Sequence, residues 1–286
     1  MYKVTDFIRW ALMRVKPESV VQGAYLALPQ AECAVEPWEY LYGSVRVQTD
    51  QATLDRYYDQ YYHTRMTRAQ YDAITASWSR TGYATDCQGL LDAYLTYEEA
   101  EPTDYNVEAN WRYWCEDKAL IGETERPYRI GEALFRANDE GRMIHVGWVC
   151  GFDGTEPLIV EARSIRYGVL ITRLSKRNFT HRALMSKKFD YGEDGTMPII
   201  LKKTTPMIQG EMIKSLQQAL NGLGYTDAGG RKLSEDGKCG TRTMEAVTAF
   251  ANNQATECPA SELPVFSLPS DDGGYELMLR LRKTEG

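Results

Sequence analysis

Cys87, His145 and Glu161 have the types and surroundings that suit nucleophilic catalysis: a thiol, a base and a group to orient the base. Cys87 stands in "GYATDCQGLL", which has the order of a helix start. Asp86 is a good N-cap, and Cys87, Leu90, Leu91, Tyr94 and Leu95 follow on one helical stripe. A thiol in the first turn of a helix feels the positive end of the macrodipole, which favours thiolate; burial of the same thiol works the other way. A small buried hydrophobe is the competing reading of Cys87. Only His63, His145 and His181 are available as a histidine base. His145 lies in "MIHVGWVCG". Strand alternation there puts Ile144, Val146, Trp148 and Cys150 on one face and His145, Gly147 and Val149 on the other. The next strand, "LIVEAR", sets Glu161 between Val160 and Ala162, a placement that calls for a polar partner. The connection "GFDGTEP" is long enough for a hairpin, which brings Glu161 to the ring nitrogen of His145 that faces away from the thiol.

Two kinds of element must hold these groups. Residues 1 to about 120 read as mainly helical. Phe7, Ile8, Ala11, Leu12 and Val15 form one apolar face near the start, and tyrosine-rich stretches follow in "ATLDRYYDQYYHTRM" and "TRAQYDAITASWSRTG". The acidic "TYEEAEPTDYNVEANW" reads as a surface loop or helix junction. From about 130 to 200, "EALFRA", "RMIHVGWVCG", "PLIVEAR" and "YGVLITRL" are short β-branched and aromatic runs separated by Gly, Asp and Pro. Helices followed by a strand meander predict an α+β domain over residues 1–200. Beyond "YGEDGTMP" the pattern returns to helix, predicting a small helical domain over 201–286. Its first helix, "MIQGEMIKSLQQALNGLGY", ends at Gly224. The polar "TDAGGRKLSEDGKCG" follows, and then "TRTMEAVTAFANN". Leu216, Leu220 and Leu223 are expected to pack on Val247 and Phe250, with Asp236-Gly237 making the turn before the second helix. The tail contains a strand-like "YELMLRLR".

Composition narrows the partners. Hydrophobic residues make up 43% and charged residues 26%, an ordinary globular balance. A net charge of -7 disfavours nucleic acid as the main partner, since phosphate binding needs a basic surface. No apolar run approaches the roughly 18 residues of a membrane span. Asp6 and Arg9 interrupt the only candidate signal-peptide core, so no secretion signal is expected. The six cysteines, at 33, 87, 115, 150, 239 and 258, form no CxxC pair. Neither a zinc site nor a dense disulfide framework is expected, and no cofactor is called for. Apart from Cys87 the cysteines read as packing thiols.

These residues resemble the NlpC-type, papain-like cell-wall peptidases. "TDCQGLL" is similar to that family's Asp-Cys-Ser-Gly-Leu-Val, "GEALF" to its Gly-Asp-Leu-Leu-Phe, and "HVGWVCG" to its His-Val-Gly-Ile-Tyr-Ile-Gly. "IVEA" resembles the strand carrying its third polar residue, and "PWEYLYGS" the segment that brings a tyrosine over the active site. The five segments keep the family's order over about residues 5–200. The resemblance implies a helical N-terminal half packed on an antiparallel sheet, with Cys87 as nucleophile, His145 as base and Glu161 as orienter. It makes Tyr40 a hydroxyl near the oxyanion, beside the backbone N–H of Cys87. It makes Asp86 a group for the amino end of a short peptide. Gln88 stands where the family has Ser, and is expected beside the substrate. Tyr40 and Asp86 also have plain readings, as a packing tyrosine and an N-cap.

"IKSLQQALNGLGY" and "EDGKCGTRTMEAVTAF" resemble the three-helix peptidoglycan-binding module, with Cys239 in place of the usual aromatic and Ala251 in place of the usual Gln. Together the resemblances imply a cysteine hydrolase of peptidoglycan stem peptides, cutting the γ-D-glutamyl bond to the diamino acid through a thioester. An N-acetylmuramoyl-L-alanine amidase, an acyltransferase and a non-catalytic wall-binding protein are the alternatives. Peptidoglycan is the implied partner and the bacterial cell wall the implied place of action. A phage or prophage lysin released by a holin is the matching setting, beside a recycling enzyme or another export route. The sequence leaves the oligomeric state open.

Overall fold

The computed structural model describes all residues except 23, 98–105, 125–127, 154–155, 192–197, 202–208, 210, 258–265, 268–274 and 279–286. Its residues fall into two compact units, Met1–Gly151 with Pro157–Gly195, and Phe152–Glu156 with Thr196–Gly286.

The first unit is mixed α+β. Its helices are α1 (Val4–Leu12), α2 (Gln51–Tyr57), α3 (Arg68–Thr75), α4 (Gly89–Tyr97) and α5 (Val107–Trp114). Its main sheet has seven strands: β1 (Tyr25–Leu26), β2 (Glu116–Leu120), β3 (Ala133–Ala137), β4 (Met143–Asp153), β5 (Glu156–Ser164), β6 (Gly168–Arg173) and β7 (His181–Leu184). Six lie in the order β6-β5-β4-β3-β7-β2, and β1 also pairs with β4. The β6·β5, β4·β3, β3·β7 and β7·β2 pairs are antiparallel. The four strands expected from hydrophobic runs are β3 to β6. In the acidic segment, residues 98–105 lie outside the described ones, and α5 begins at Val107 behind an Asn106 cap.

Alternation explains how the sheet meets the helices. Val146, Trp148, Cys150, Leu158, Val160, Ala162, Val169 and Ile171 share one core with α1 and α4. Phe7 of α1 stands edge-on to Trp148 with ring centroids 5.0 Å apart, and 5.3 Å from the ring of Tyr94 on α4. Leu90, Leu91, Ala93, Tyr94 and Leu95 are all buried, so α4 is apolar nearly all round and runs through the core. Each such side chain stabilises by about 1.5–3 kcal/mol relative to exposure. Ile144 departs from the expected face. The β3·β4 register shifts after the Arg136–His145 pair, so that Ala137 lies opposite Met143, and Ile144 bulges outward, 44% exposed.

A second cluster, rich in tyrosine, carries the segment before α2. Leu54, Tyr57, Tyr62 and Tyr71 pack with Leu41, Trp78 and Ala84. Tyr58–Tyr62 extends α2 as a π turn, and the Tyr62 hydroxyl accepts the backbone N–H of Tyr42 at 2.9 Å. This fixes the Tyr40–Ser44 loop against the start of α4.

In the second unit, α6 (Glu211–Gly222) and α7 (Thr241–Glu257) enclose a small core of Ile213, Leu216, Leu220, Leu233, Cys239, Ala246, Val247 and Phe250. Leu223 is not part of it: α6 ends at Gly222 and Leu223 is 64% exposed, its expected place taken by Leu233 from the polar segment. The turn at Asp236-Gly237 is tied to buried Gln217. Its Nε2 donates to Asp236 Oδ1 (3.0 Å), the Lys238 carbonyl (3.0 Å) and Thr243 Oγ1 (3.1 Å), and its Oε1 accepts the Gly237 N–H (2.8 Å). Gln217→Leu strands these groups and is expected to lower the unfolding free energy by about 2–4 kcal/mol. Urea unfolding followed on the full chain measures it; a change below about 0.5 kcal/mol would show that the turn holds without Gln217. The strand-like tail forms Tyr275–Met278, the middle strand of an antiparallel three-stranded sheet with Pro198–Leu201 and Phe266–Ser267; residues 279–282 of that run lie outside the described ones. No helix among the described residues is long and apolar enough to cross a membrane.

Candidate active site

The Cys87 turn is built by hydrogen bonds to Asp86 and Ser44. Asp86 Oδ1 accepts the Gly89 N–H at 2.6 Å and Oδ2 accepts the Gly43 N–H at 3.0 Å, while the Asp86 N–H donates to the Ser44 carbonyl at 2.9 Å. Gly89 permits this approach, because a Cβ there would sit 2.0 Å from the Ser44 oxygen. Asp86 is therefore both the N-cap of α4 and the clasp on the Tyr40–Ser44 loop. Burial raises its carboxyl above the ordinary value, against hydrogen bonds from Gly89, Gly43 and Gln88 and the nearby charge of His145.

Cys87 is buried, and burial decides the state of its thiol. Desolvation, with the Asp86 charge added, pushes it up to about 12; backbone N–H groups of Val146, Gln88 and Cys87 itself pull the other way without prevailing. Of the two opposed influences on this thiol, burial is the one that prevails, and Cys87 stands in the turn that leads into α4. The Val146 contact brings the sulfur to the residue next to His145.

His145 is held by Glu161. Its Nε2 lies 2.6 Å from Glu161 Oε2, which leaves Nδ1 as the nitrogen with no hydrogen bond among the described residues. The ring stacks on Phe179, centroids 5.8 Å apart and planes at 20°. Glu161 is fully buried, and three donor atoms reach it besides His145. Arg177 Nε and Nη2 clamp its two oxygens at 2.6 and 2.8 Å, and Thr172 Oγ1 donates at 2.6 Å. Burial alone would raise the Glu161 carboxyl, but the hydrogen bonds from His145 and Arg177, the charge of His145 and the Thr172 hydroxyl outweigh it and hold it at about 2. Glu161 is thus a fixed anion rather than a proton acceptor near neutral pH.

Gly147, two residues past His145, makes room for this pairing. A Cβ there would meet Ile159 Cγ2 at 2.8 Å, Glu161 Cβ at 3.1 Å and Phe179 Cζ at 3.2 Å. Gly147→Ala is expected to cost about 1–3 kcal/mol of stability and to displace Glu161 from His145. Thermal unfolding together with the His145 ring-proton resonances tests this; an unmoved spectrum and an unchanged melting point would refute it.

Tyr40 reaches the thiol from the other side. Glu39–Tyr40 pairs in parallel with Tyr83–Thr85, placing Tyr40 opposite Thr85, two residues before Cys87. Burial, and then the neighbouring Cys87 and Asp86, push its phenol well above the ordinary value. The Tyr40 hydroxyl has no hydrogen-bond partner among the described residues, so it stays neutral and free to donate.

Gln88 does not fit the expected place beside a substrate. It is buried, its Nε2 donating to Asp92 at 3.1 Å and its Oε1 accepting from Asn110 Nδ2 at 3.0 Å. It joins α4 to α5 inside the protein. The structure therefore brings Cys87, His145, Glu161, Tyr40 and Asp86 together and turns Gln88 away.

No family model, curated protein or solved structure matches this chain. The chemistry of the site has to be read from its own geometry. Arg177, Thr172 and Phe179 escaped the sequence reading. Arg177 follows β6 in "RLSKRNF", one cation among several, with no periodicity to single it out. Thr172 was accessible in principle: Leu170 pairs with Glu161, so Thr172, two residues on, shares its face. Among the described residues no group of three or more His, Cys, Asp and Glu side chains is arranged to hold a metal ion.

Proposed function

We propose that this chain is a cysteine hydrolase that cleaves amide bonds in peptidoglycan stem peptides. The observation that carries the reading is the line of groups from Glu161 through His145 to the Cys87 turn, with the unbonded Tyr40 hydroxyl beside the thiol. Each member has the state its task needs. A buried neutral thiol has to lose its proton to a base, and His145 presents one open nitrogen while Glu161 fixes the other. The thiolate attacks the amide carbonyl carbon, and the proton taken by His145 passes to the leaving amine as the C–N bond breaks. Water, deprotonated by the same histidine, then splits the thioester into a carboxylate and the thiol. The oxyanion of each tetrahedral species receives the Tyr40 hydroxyl and the backbone N–H of Cys87.

The substrate class rests on the NlpC-type resemblance of five ordered segments and on the resemblance of the second unit to a peptidoglycan-binding module. The γ-D-glutamyl bond to the diamino acid is the bond those resemblances favour. Action at the bacterial cell wall after holin-type release fits the same reading. Digestion of purified peptidoglycan by the wild-type chain beside Cys87→Ala, with mass spectrometry of the soluble fragments, is the test. New amine and carboxylate ends at one stem-peptide bond, absent with Cys87→Ala, are expected. Equal release by both proteins would overturn the assignment of the nucleophile, and cleavage after N-acetylmuramoyl would make the chain an amidase.

A further inference from the structure

Three arginines reach the part of the sheet around His145, and two of them are committed. Arg177 clamps Glu161, and Arg182 clamps buried Glu132 through Nε at 2.6 Å and Nη2 at 2.8 Å. The third, Arg136, lies on β3 directly opposite His145 on β4. Residues paired across an antiparallel ladder project to the same face, so the Arg136 side chain stands beside the His145 ring. Glu161 belongs to β5, the strand on the far side of β4. His145 is thus flanked by a fixed anion on one side and a cation on the other. The Arg136 side chain has no hydrogen bond or ion pair among the described residues, and its Nε is buried without a partner. A half-buried guanidinium left in that state is costly, and the chain has an excess of carboxylates it could have used, with Asp plus Glu at 40 against Lys plus Arg at 33.

We infer that Arg136 is the subsite for a substrate carboxylate adjacent to the scissile amide. The two terminal nitrogens of the guanidinium have no protein acceptor among the described residues and are not buried, so they can take a carboxylate in a bidentate geometry while Nε stays enclosed. The site then selects an acidic peptide over a neutral one: the carbonyl to be attacked lies by Cys87, and the anionic group beside it lies against Arg136. The inference rests on the hydrolase reading for the scissile bond, while the anion subsite is measurable by binding alone.

Calorimetric titration of full-length Cys87→Ala protein with L-alanyl-γ-D-glutamyl-L-lysine, and with the two forms in which one carboxylate is converted to a carboxamide, tests it. One of the two conversions is expected to weaken binding about 30-fold, as loss of a charge-assisted bidentate contact does. Arg136→Gln in the same background is expected to weaken the parent peptide about equally and to abolish the penalty for amidation. The inference is overturned if amidation costs the same with and without Arg136, or if the peptide does not bind at millimolar concentration. Arg136→Gln removes no native partner, so its melting temperature is expected to equal or exceed the parent's; a fall of several degrees would mark a structural arginine instead. Arg136-dependent binding without cleavage by the wild-type chain would sink the hydrolase reading and keep the subsite. Cleavage indifferent to Arg136 would do the reverse.

Discussion

His145→Ala is expected to lower kcat/KM on a cleavable stem peptide by about four orders of magnitude, close to the loss from Cys87→Ala. The size follows from the thiol. With its pKa pushed up to about 12 by burial and by Asp86, Cys87 stays a thiol at pH 7 unless a base takes the proton. Neither of the other two histidines belongs to the site: His181 on β7 lies against Trp111 and Thr180, and His63 is exposed at the end of the Tyr58–Tyr62 turn. The residual rate of His145→Ala should therefore climb about tenfold for each pH unit from 7 toward 11, as hydroxide replaces the imidazole. Alkylation of Cys87 by iodoacetamide, with Cys87→Ala as the blank, should follow the same slope. If His145→Ala alkylates at the wild-type rate at pH 7, the base assignment fails.

How much of this was legible in the sequence depends on the range of the interactions involved. The Cys87 turn, the His145 strand and the Glu161 strand were readable because each is set by local order: a cap, a stripe, or an alternation of two. Their joining needed only that neighbouring strands pair. Gln88 was misplaced because its partners are decided elsewhere, Asn110 arriving from α5 across the acidic segment. Ile144 left its face because a bulge shifts the register by one, which no periodicity announces. The strands β2 and β7 went unseen for a similar reason. β2, "EDKAL", is a mostly exposed edge strand with no apolar alternation, and it forms by pairing with β7. Leu223 kept the helical spacing but not the helix. The state of the thiol stays open in the sequence, since the helix start is visible there whereas desolvation is a property of the assembled core. The same holds for Arg177 and Arg136: sequence shows two ordinary arginines, and only the fold separates the one that is paired from the one that is not.

Arg177→Ala is expected to cost about 3–5 kcal/mol of unfolding free energy, the largest stability effect at the site. Glu161 is fully buried, and Arg177 supplies two of its charge-assisted hydrogen bonds from a side chain that is itself only 11% exposed, so solvent screening is slight. Removing the guanidinium leaves the carboxylate with His145 and Thr172 alone. Arg177→Lys should recover part of the loss and no more, because an ammonium cannot make both contacts of the fork. Adding Glu161→Gln to Arg177→Ala should raise stability above the single variant, since a neutral amide does not need the cation. The pH dependence has a definite sign. A carboxyl lowered from 4.5 to about 2 contributes stability that is fully present above pH 4.5 and is lost as pH falls through about 2. Without Arg177 the folded-state value rises, so acid unfolding should begin at a higher pH. Urea unfolding of the four proteins between pH 2 and 7 measures both effects. Arg177→Ala within about 1 kcal/mol of wild type, or a double variant less stable than the single, would show that Glu161 is held ionised by His145 rather than by Arg177.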